Sequence, residues 1–167
     1  MNQPAATLSY QNPRATKILR IAIVSSSWHK AIVDNSVQAI KSHFAQEEIS
    51  DTEVDTFEVP GAFELPFHAK ILAQSGKYRA IIACGLITNG GIYRHDFVSS
   101  AVIDGLMQVQ LTSDIPVFSS ALTHHNFHEH EDHVDFFAQH FIGKGKEVAR
   151  ACLETVASLE KVADSCV

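Results

Sequence analysis

The sequence predicts an α/β fold, a three-layer α/β/α sandwich around a central four-stranded parallel sheet. Three observations predict it. Short apolar runs alternate along the chain with longer amphipathic ones, which implies strands joined by crossover helices. The run Ala80-Ile81-Ile82-Ala83-Cys84, and the end of the run Ile18 to Ser25, are almost wholly apolar, as strands covered on both faces are. Glycine-bearing turns follow two of the strands, at the edge where parallel sheets bind ligands.

Met1 to Thr16 is polar, carries Pro4 and Pro13, and reads as a flexible arm; residues 17–167 read as a single domain. The first strand is Ile18 to Ser25, and a helix over 29–46 carries Ile32, Val33, Val37, Ile40 and Phe44 at helical spacing. A second strand near 53–59 leads into a helix near 62–75, which Gly76 stops; Pro66 fits only in its first turn. The third strand is near 79–84, with a helix from about Phe97 to Leu111, and the fourth is near 116–121. A His-rich helix over about 127–140 and a last helix over about 145–162 complete the reading.

Composition narrows the function. A formal net charge of −6 disfavours a general nucleic-acid binder, which would present a basic face. No apolar run approaches the roughly 20 residues needed to span a bilayer, and the first residues lack the apolar core of a signal peptide. Cys84, Cys152 and Cys166 have neither paired nor metal-like spacing, so they read as reduced thiols of a cytoplasmic protein.

Two turns concentrate the chemistry. In Val59-Pro60-Gly61-Ala62-Phe63-Glu64-Leu65-Pro66, a Pro-Gly turn lets backbone approach a ligand, helix N–H groups point toward it, and Glu64 brings a carboxylate into the first helical turn. The bland alternative is a capping glutamate. In Gly85-Leu86-Ile87-Thr88-Asn89-Gly90-Gly91-Ile92-Tyr93-Arg94-His95-Asp96, the paired glycines can leave backbone N–H groups free to wrap an anion. Arg94 adds a permanent cation and His95 a residue type that titrates near neutrality. Trp28, the only tryptophan, follows the first strand, where an aromatic can stack on a flat heterocycle. With Gly61–Glu64, Leu86–His95 and Ser119–Thr123, it is expected beyond the strand ends on one edge of the sheet.

Together these stretches resemble lumazine synthase, the penultimate enzyme of riboflavin biosynthesis, from about Lys17 to the C-terminal helix. Gly90-Gly91-Ile92-Tyr93-Arg94-His95-Asp96-Phe97, Trp28-His29 and the stretch Leu122 to Glu129 look like the divergent second type of that family. The resemblance implies a flavodoxin-like fold and the condensation of 5-amino-6-(D-ribitylamino)uracil with 3,4-dihydroxy-2-butanone 4-phosphate, with no cofactor. By resemblance, Trp28 stacks on the ring; Ala62, Phe63 and Glu64 bind the ribityl chain and ring edge; Leu86, Ile87 and Thr88 read the uracil edge; Gly91 and Ile92 bind phosphate. Arg94 takes the place where most members carry a catalytic His, and His95 that of the following aromatic. Arg cannot shuttle protons, so the pair Arg94 and His95 is expected to share the chemistry without a firm division of roles; a solvent-facing or capping His95 is the alternative. His133 stands where a phosphate-binding Arg is usual, Lys144 where a substrate-contacting Lys is, Ser119 where many members carry Phe, and Ser27 where Arg is common.

The resemblance also implies a homopentamer, or a decamer of stacked pentamers. Ser119, His133 and Lys144 would then come from the neighbouring subunit, and the N-terminal arm would add a strand to a neighbour's sheet. Two rivals compete. One is a catalytically weak paralogue that holds lumazine or riboflavin. The other is a metal-binding module built on His124, His128, His130 and His133, whose spacing completes no conventional motif, so no metal is expected.

Overall fold

The computed structural model describes residues 19–47, 52–89, 94–124 and 131–165; the N-terminal arm, the Gly90–Tyr93 segment, residues 125–130 and Cys166 lie outside them. The chain alternates β1 (Leu19–Ser26), α1 (Lys30–Gln46), β2 (Thr52–Val59), a 3-10 turn (Ala62–Glu64) running into α2 (Leu65–Gln74), β3 (Ala80–Thr88), α3 (His95–Ser113), β4 (Val117–His124) and α4 (Glu131–Ser165). The four strands are parallel in the order β2-β1-β3-β4, so strand order reverses between β1 and β3. This is the four-stranded three-layer arrangement, of flavodoxin-like type, that the sequence predicts.

Side-chain alternation along β1 and β3 explains the layers. Ile21, Ile23, Ile82, Cys84 and Leu86 pack with Val33, Ile40 and Phe44 of α1 and Phe137, Phe141 and Ala149 of α4. Ala22, Val24, Ile81, Ala83 and Ile87 pack with Leu65 and Ala69 of α2 and Val102 and Leu106 of α3. Both central strands are therefore buried on both faces, which is why their sequences lack polar alternation.

The structure corrects three expectations. Gly85–Thr88, read as a turn, extends β3, because each residue pairs in register with β4, from Gly85 against Ala121 to Thr88 against His124. β4 correspondingly continues to His124, so Ser119–Thr123 lie within the strand rather than beyond its end. The two C-terminal helices are one, running through Gly143-Lys144-Gly145. Each glycine costs about 1 kcal/mol of helix propensity. Against that, Phe137, Phe141, Val148, Cys152 and Val156 form one continuous buried stripe on both sides of the glycines. Gly145 itself lets α4 approach α1: a Cβ there would lie 2.5 Å from the Ser36 carbonyl oxygen.

Beneath β4, the buried Ser36 and Ser120 hydroxyls lie 3.0 Å apart. Burial pushes the adjacent Cys84 thiol up from 9.0 to about 12, although hydrogen bonds from Ser36 and Ser120 oppose this. Burial pushes Cys152 up to about 12 as well. Both thiols thus hold their protons more tightly folded than unfolded. The stability this protects is whole below about pH 9 and is lost as pH rises from 9 toward 12. Urea midpoints should fall more steeply above pH 9 in the native sequence than in a C84A/C152A variant; equal slopes would refute the assignment.

Candidate active site

The carboxyl edge of the sheet is assembled by the backbone leaving β1. Ser27 N–H donates to the Val59 carbonyl at 2.8 Å, and its hydroxyl donates to the Pro60 carbonyl at 2.9 Å. This ties the end of β1 to the Pro60-Gly61 turn and leaves Trp28 projecting, 68 % exposed. Gly61 is extended, with φ −144°, so the position demands space rather than glycine's conformational freedom. A Cβ there would sit 3.7 Å from the Trp28 ring and 3.1 Å from Glu64 Oε2. Gly61 N–H donates to that oxygen at 2.9 Å, so Glu64 does cap its turn through one carboxylate oxygen. Ala62 is buried and Phe63 is exposed. The turn and the start of α2 lie close over β3, since a Cβ on Gly85 would lie 3.6 Å from Ala62 Cβ and 3.2 Å from Leu65 Cδ1.

His29 follows Trp28 in the left-handed region, φ 54° and ψ 39°, and opens α1 without capping it by its side chain. Its Nε2 lies 3.4 Å from Thr88 Oγ1, across the gap between the ends of β1 and β3. The sequence marked His29 only as part of the Trp28-His29 resemblance and gave it no role; histidine does tolerate positive φ better than most residues.

Arg94 marks the start of α3 and lies across its own first turn. Its Nη2 and Nε donate to the two Asp96 carboxylate oxygens at 2.6 and 3.3 Å, and its guanidinium carbon sits 4.4 Å above the centre of the Phe97 ring. The guanidinium beside Asp96 holds that carboxyl below the usual carboxylate range. Asp96 and Phe97 therefore fix the plane of a cation that an unsupported arginine would leave free. His95 is the first residue of α3 and is buried, which overturns the solvent-facing alternative. Its neighbour, not His95 itself, is displayed to solvent, because successive helical residues point about 100° apart.

The remaining expected residues separate. Leu86 and Ile87 are buried on opposite faces of β3. Leu86 lines a cleft of about 240 Å³ with Ala121, Leu122, Thr123, Phe137, His140 and Phe141, under α4 and apart from Trp28. Ser119 pairs in register with Ala83 and is exposed, so it lies within β4, well below the carboxyl edge, rather than beyond the strand end. Lys144 lies on α4, where its Nζ bonds Glu147 at 2.7 Å. His133 falls in α4 with its side chain outside the described atoms, while Gly91 and Ile92 lie outside the described residues. Among the described residues, no group of three or more His, Cys, Asp or Glu side chains could hold a metal ion.

A reversal of strand order with ligand-capable side chains gathered beside it defines an open α/β protein, a class that binds ligands beyond the carboxyl ends of its strands. Comparison with known proteins narrows the class. Residues 18–160 match the 6,7-dimethyl-8-ribityllumazine synthase family, to which the chain belongs. It is 53% identical over 146 residues to the 6,7-dimethyl-8-ribityllumazine synthase of Rhodococcus erythropolis, covering 87% of this chain and 94% of that protein. It is 48% identical over 152 residues to 6,7-dimethyl-8-ribityllumazine synthase 2 of Bradyrhizobium diazoefficiens, covering 91% of each. Identity to 6,7-dimethyl-8-ribityllumazine synthase 2 of Pseudomonas syringae pv. tomato is 47% over 137 residues, 82% of this chain and 81% of that one.

Proposed function

We propose that this chain condenses 5-amino-6-(D-ribitylamino)uracil with 3,4-dihydroxy-2-butanone 4-phosphate to 6,7-dimethyl-8-ribityllumazine, releasing phosphate and water in riboflavin biosynthesis. Beyond family membership, the observation that carries this reading is the exposed Trp28 indole lying beside Gly61, with Glu64 next to it. A flat heterocycle can stack on that indole while the second Glu64 oxygen accepts from a ribityl hydroxyl. Backbone of Ala62, Phe63 and Leu86–Thr88 completes the ring contacts. Gly91 and Ile92 hold phosphate, and Arg94 supplies its fixed positive charge. Holding two substrates in line supplies much of the rate, worth several kcal/mol in well-oriented pairs (about 7–11 at most).

The functional unit is a homo-oligomer, a pentamer or stacked pentamers, in which Ser119, His133 and Lys144 complete a neighbour's site. Phe63, Phe67 and Ile71 along one line, and Ile103, Met107 and Leu111 along α3, support this: both stripes are exposed on the same side of the sheet in a single chain. Free Cys84 and Cys152 support a cytoplasmic location.

Purified protein mixed with both substrates should form lumazine, read by absorbance and fluorescence, faster than the spontaneous background. Trp28→Ala should weaken lumazine binding by about 5- to 150-fold, the ~1–3 kcal/mol of a ring stacked on an aromatic. Tight lumazine binding without acceleration would instead identify a ligand-holding paralogue. A monomer by light scattering would refute the oligomer.

A further inference from the structure

The reaction proposed above needs protons moved, and the described carboxyl edge offers few groups to move them. Arg94 keeps its proton at any working pH. Glu64 accepts from Gly61 N–H, and His95 is buried in the first turn of α3. His29 differs. It is half-buried at the switch point between β1 and β3, next in sequence to Trp28. Its backbone holds the left-handed conformation, uncommon outside glycine although histidine adopts it more readily than most residues. The other such residue among those described, Asp114, ends a helix, where this conformation is common. His29 is the N-cap residue of α1, where its carbonyl accepts from the Ile32 and Val33 N–H groups, but its side chain makes no cap hydrogen bond; its Nε2 instead lies 3.4 Å from the Thr88 hydroxyl. Strained backbone that persists beside a ligand crevice is the kind of feature from which a functional role is inferred.

We propose that His29 is a catalytic proton-transfer residue of the condensation, with Thr88 fixing its ring; this rests on the lumazine synthase reading. After the uracil amine and the ketone have formed an imine, neutral imidazole takes the proton from the hydroxyl-bearing carbon next to the imine carbon. The electron pair of that C–H bond becomes the double bond to the terminal carbon, whose C–O bond breaks, and phosphate leaves with that bond's pair. The imidazolium returns the proton to the terminal carbon as the enol becomes a ketone, and the enol hydroxyl proton passes to solvent. Imidazole suits both transfers because it exchanges protons near neutrality. The charged side chains on the flanking elements are otherwise engaged: Lys30 with Asp34 of α1 and Glu58 of β2, Arg94 with Asp96.

The test compares H29G, H29N and the native protein. Glycine adopts the left-handed backbone freely and asparagine tolerates it, so both variants should melt at or above the native temperature. Lumazine affinity should stay within about threefold of native, while kcat falls tenfold or more. The acidic limb of the native kcat–pH profile should vanish in both variants, and added imidazole should restore part of the H29G turnover. Unchanged kcat and pH profile would overturn the proposal. So would a loss of lumazine affinity equal to the loss of kcat/KM, which would make His29 a binding residue only. Absence of turnover in the native protein would overturn the enzyme reading itself, and is told apart because no variant enters that result.

Discussion

Replacing Arg94 by alanine should lower kcat/KM for the phosphorylated ketone by about 10²–10³-fold, the loss expected when one preorganised charge-stabilising group is removed. The magnitude follows from how the side chain is held. The Asp96 carboxylate occupies the Nε–Nη2 edge of the guanidinium, and the Phe97 ring supports its plane. On the proposed reading, the edge that includes Nη1 is the one left to meet an oxyanion. An ammonium is a point charge without that fork, so Arg94→Lys should retain only part of the activity. Asp96→Asn should raise KM for the phosphorylated ketone while leaving lumazine affinity unchanged, since it loosens the cation and leaves Trp28 alone. Steady-state kinetics with each substrate varied in turn checks all three variants. Native KM and kcat in Arg94→Ala would remove Arg94 from the site.

The largest effect on stability is expected at Gly145. Glycine inside a helix ordinarily gains about 1 kcal/mol on replacement by alanine. At Gly143, where an added Cβ meets nothing within 4 Å, Gly143→Ala should be stabilising by up to that amount. At Gly145 the same Cβ would lie 2.5 Å from the Ser36 carbonyl oxygen, 2.8 Å from the Ala39 Cβ and 3.0 Å from the Ser36 Cα. Two of these atoms are backbone and none can swing aside, so α4 must move off α1. Overpacking of this kind costs about 1–3 kcal/mol and occasionally more, enough to outweigh the propensity gain. The melting temperature of Gly145→Ala should therefore fall by several degrees, at about 2–4 °C per kcal/mol for a chain of this size. Opposite signs for two alanines two residues apart on one helix would be the mark of the helix contact; a rise at both would refute it.

The sequence was legible where its signals were local. The apolar run Ala80–Cys84 announced a strand buried on both sides, and α1 and α2 were readable from the spacing of Ile32, Val33, Val37, Ile40 and Phe44 and from Pro66 and Gly76. Illegible features depended on partners distant in sequence. Gly85–Thr88 carries glycine and threonine and reads as a loop until β4 pairs with it residue by residue. Gly143 and Gly145 look like a helix end until α1 packs against the second of them.

The site divides the same way. Sequence by itself determined the chemistry on offer: an indole after β1, a Pro-Gly turn with Glu64, and a cation with an imidazole at the start of α3, in an order of elements that brings strand ends to one edge. It pointed to the family as well, through motifs that lie within the residues 18–160 matched by the family. Only the tertiary structure decided which of these groups face the ligand edge. It buried His95, turned His29 toward Thr88, clamped Arg94 on Asp96 and Phe97, and set Ser119 low on β4. The physical reason is that a residue's type is carried by the chain alone. Its direction depends on strand register, helix phase and the backbone angles that distant packing imposes.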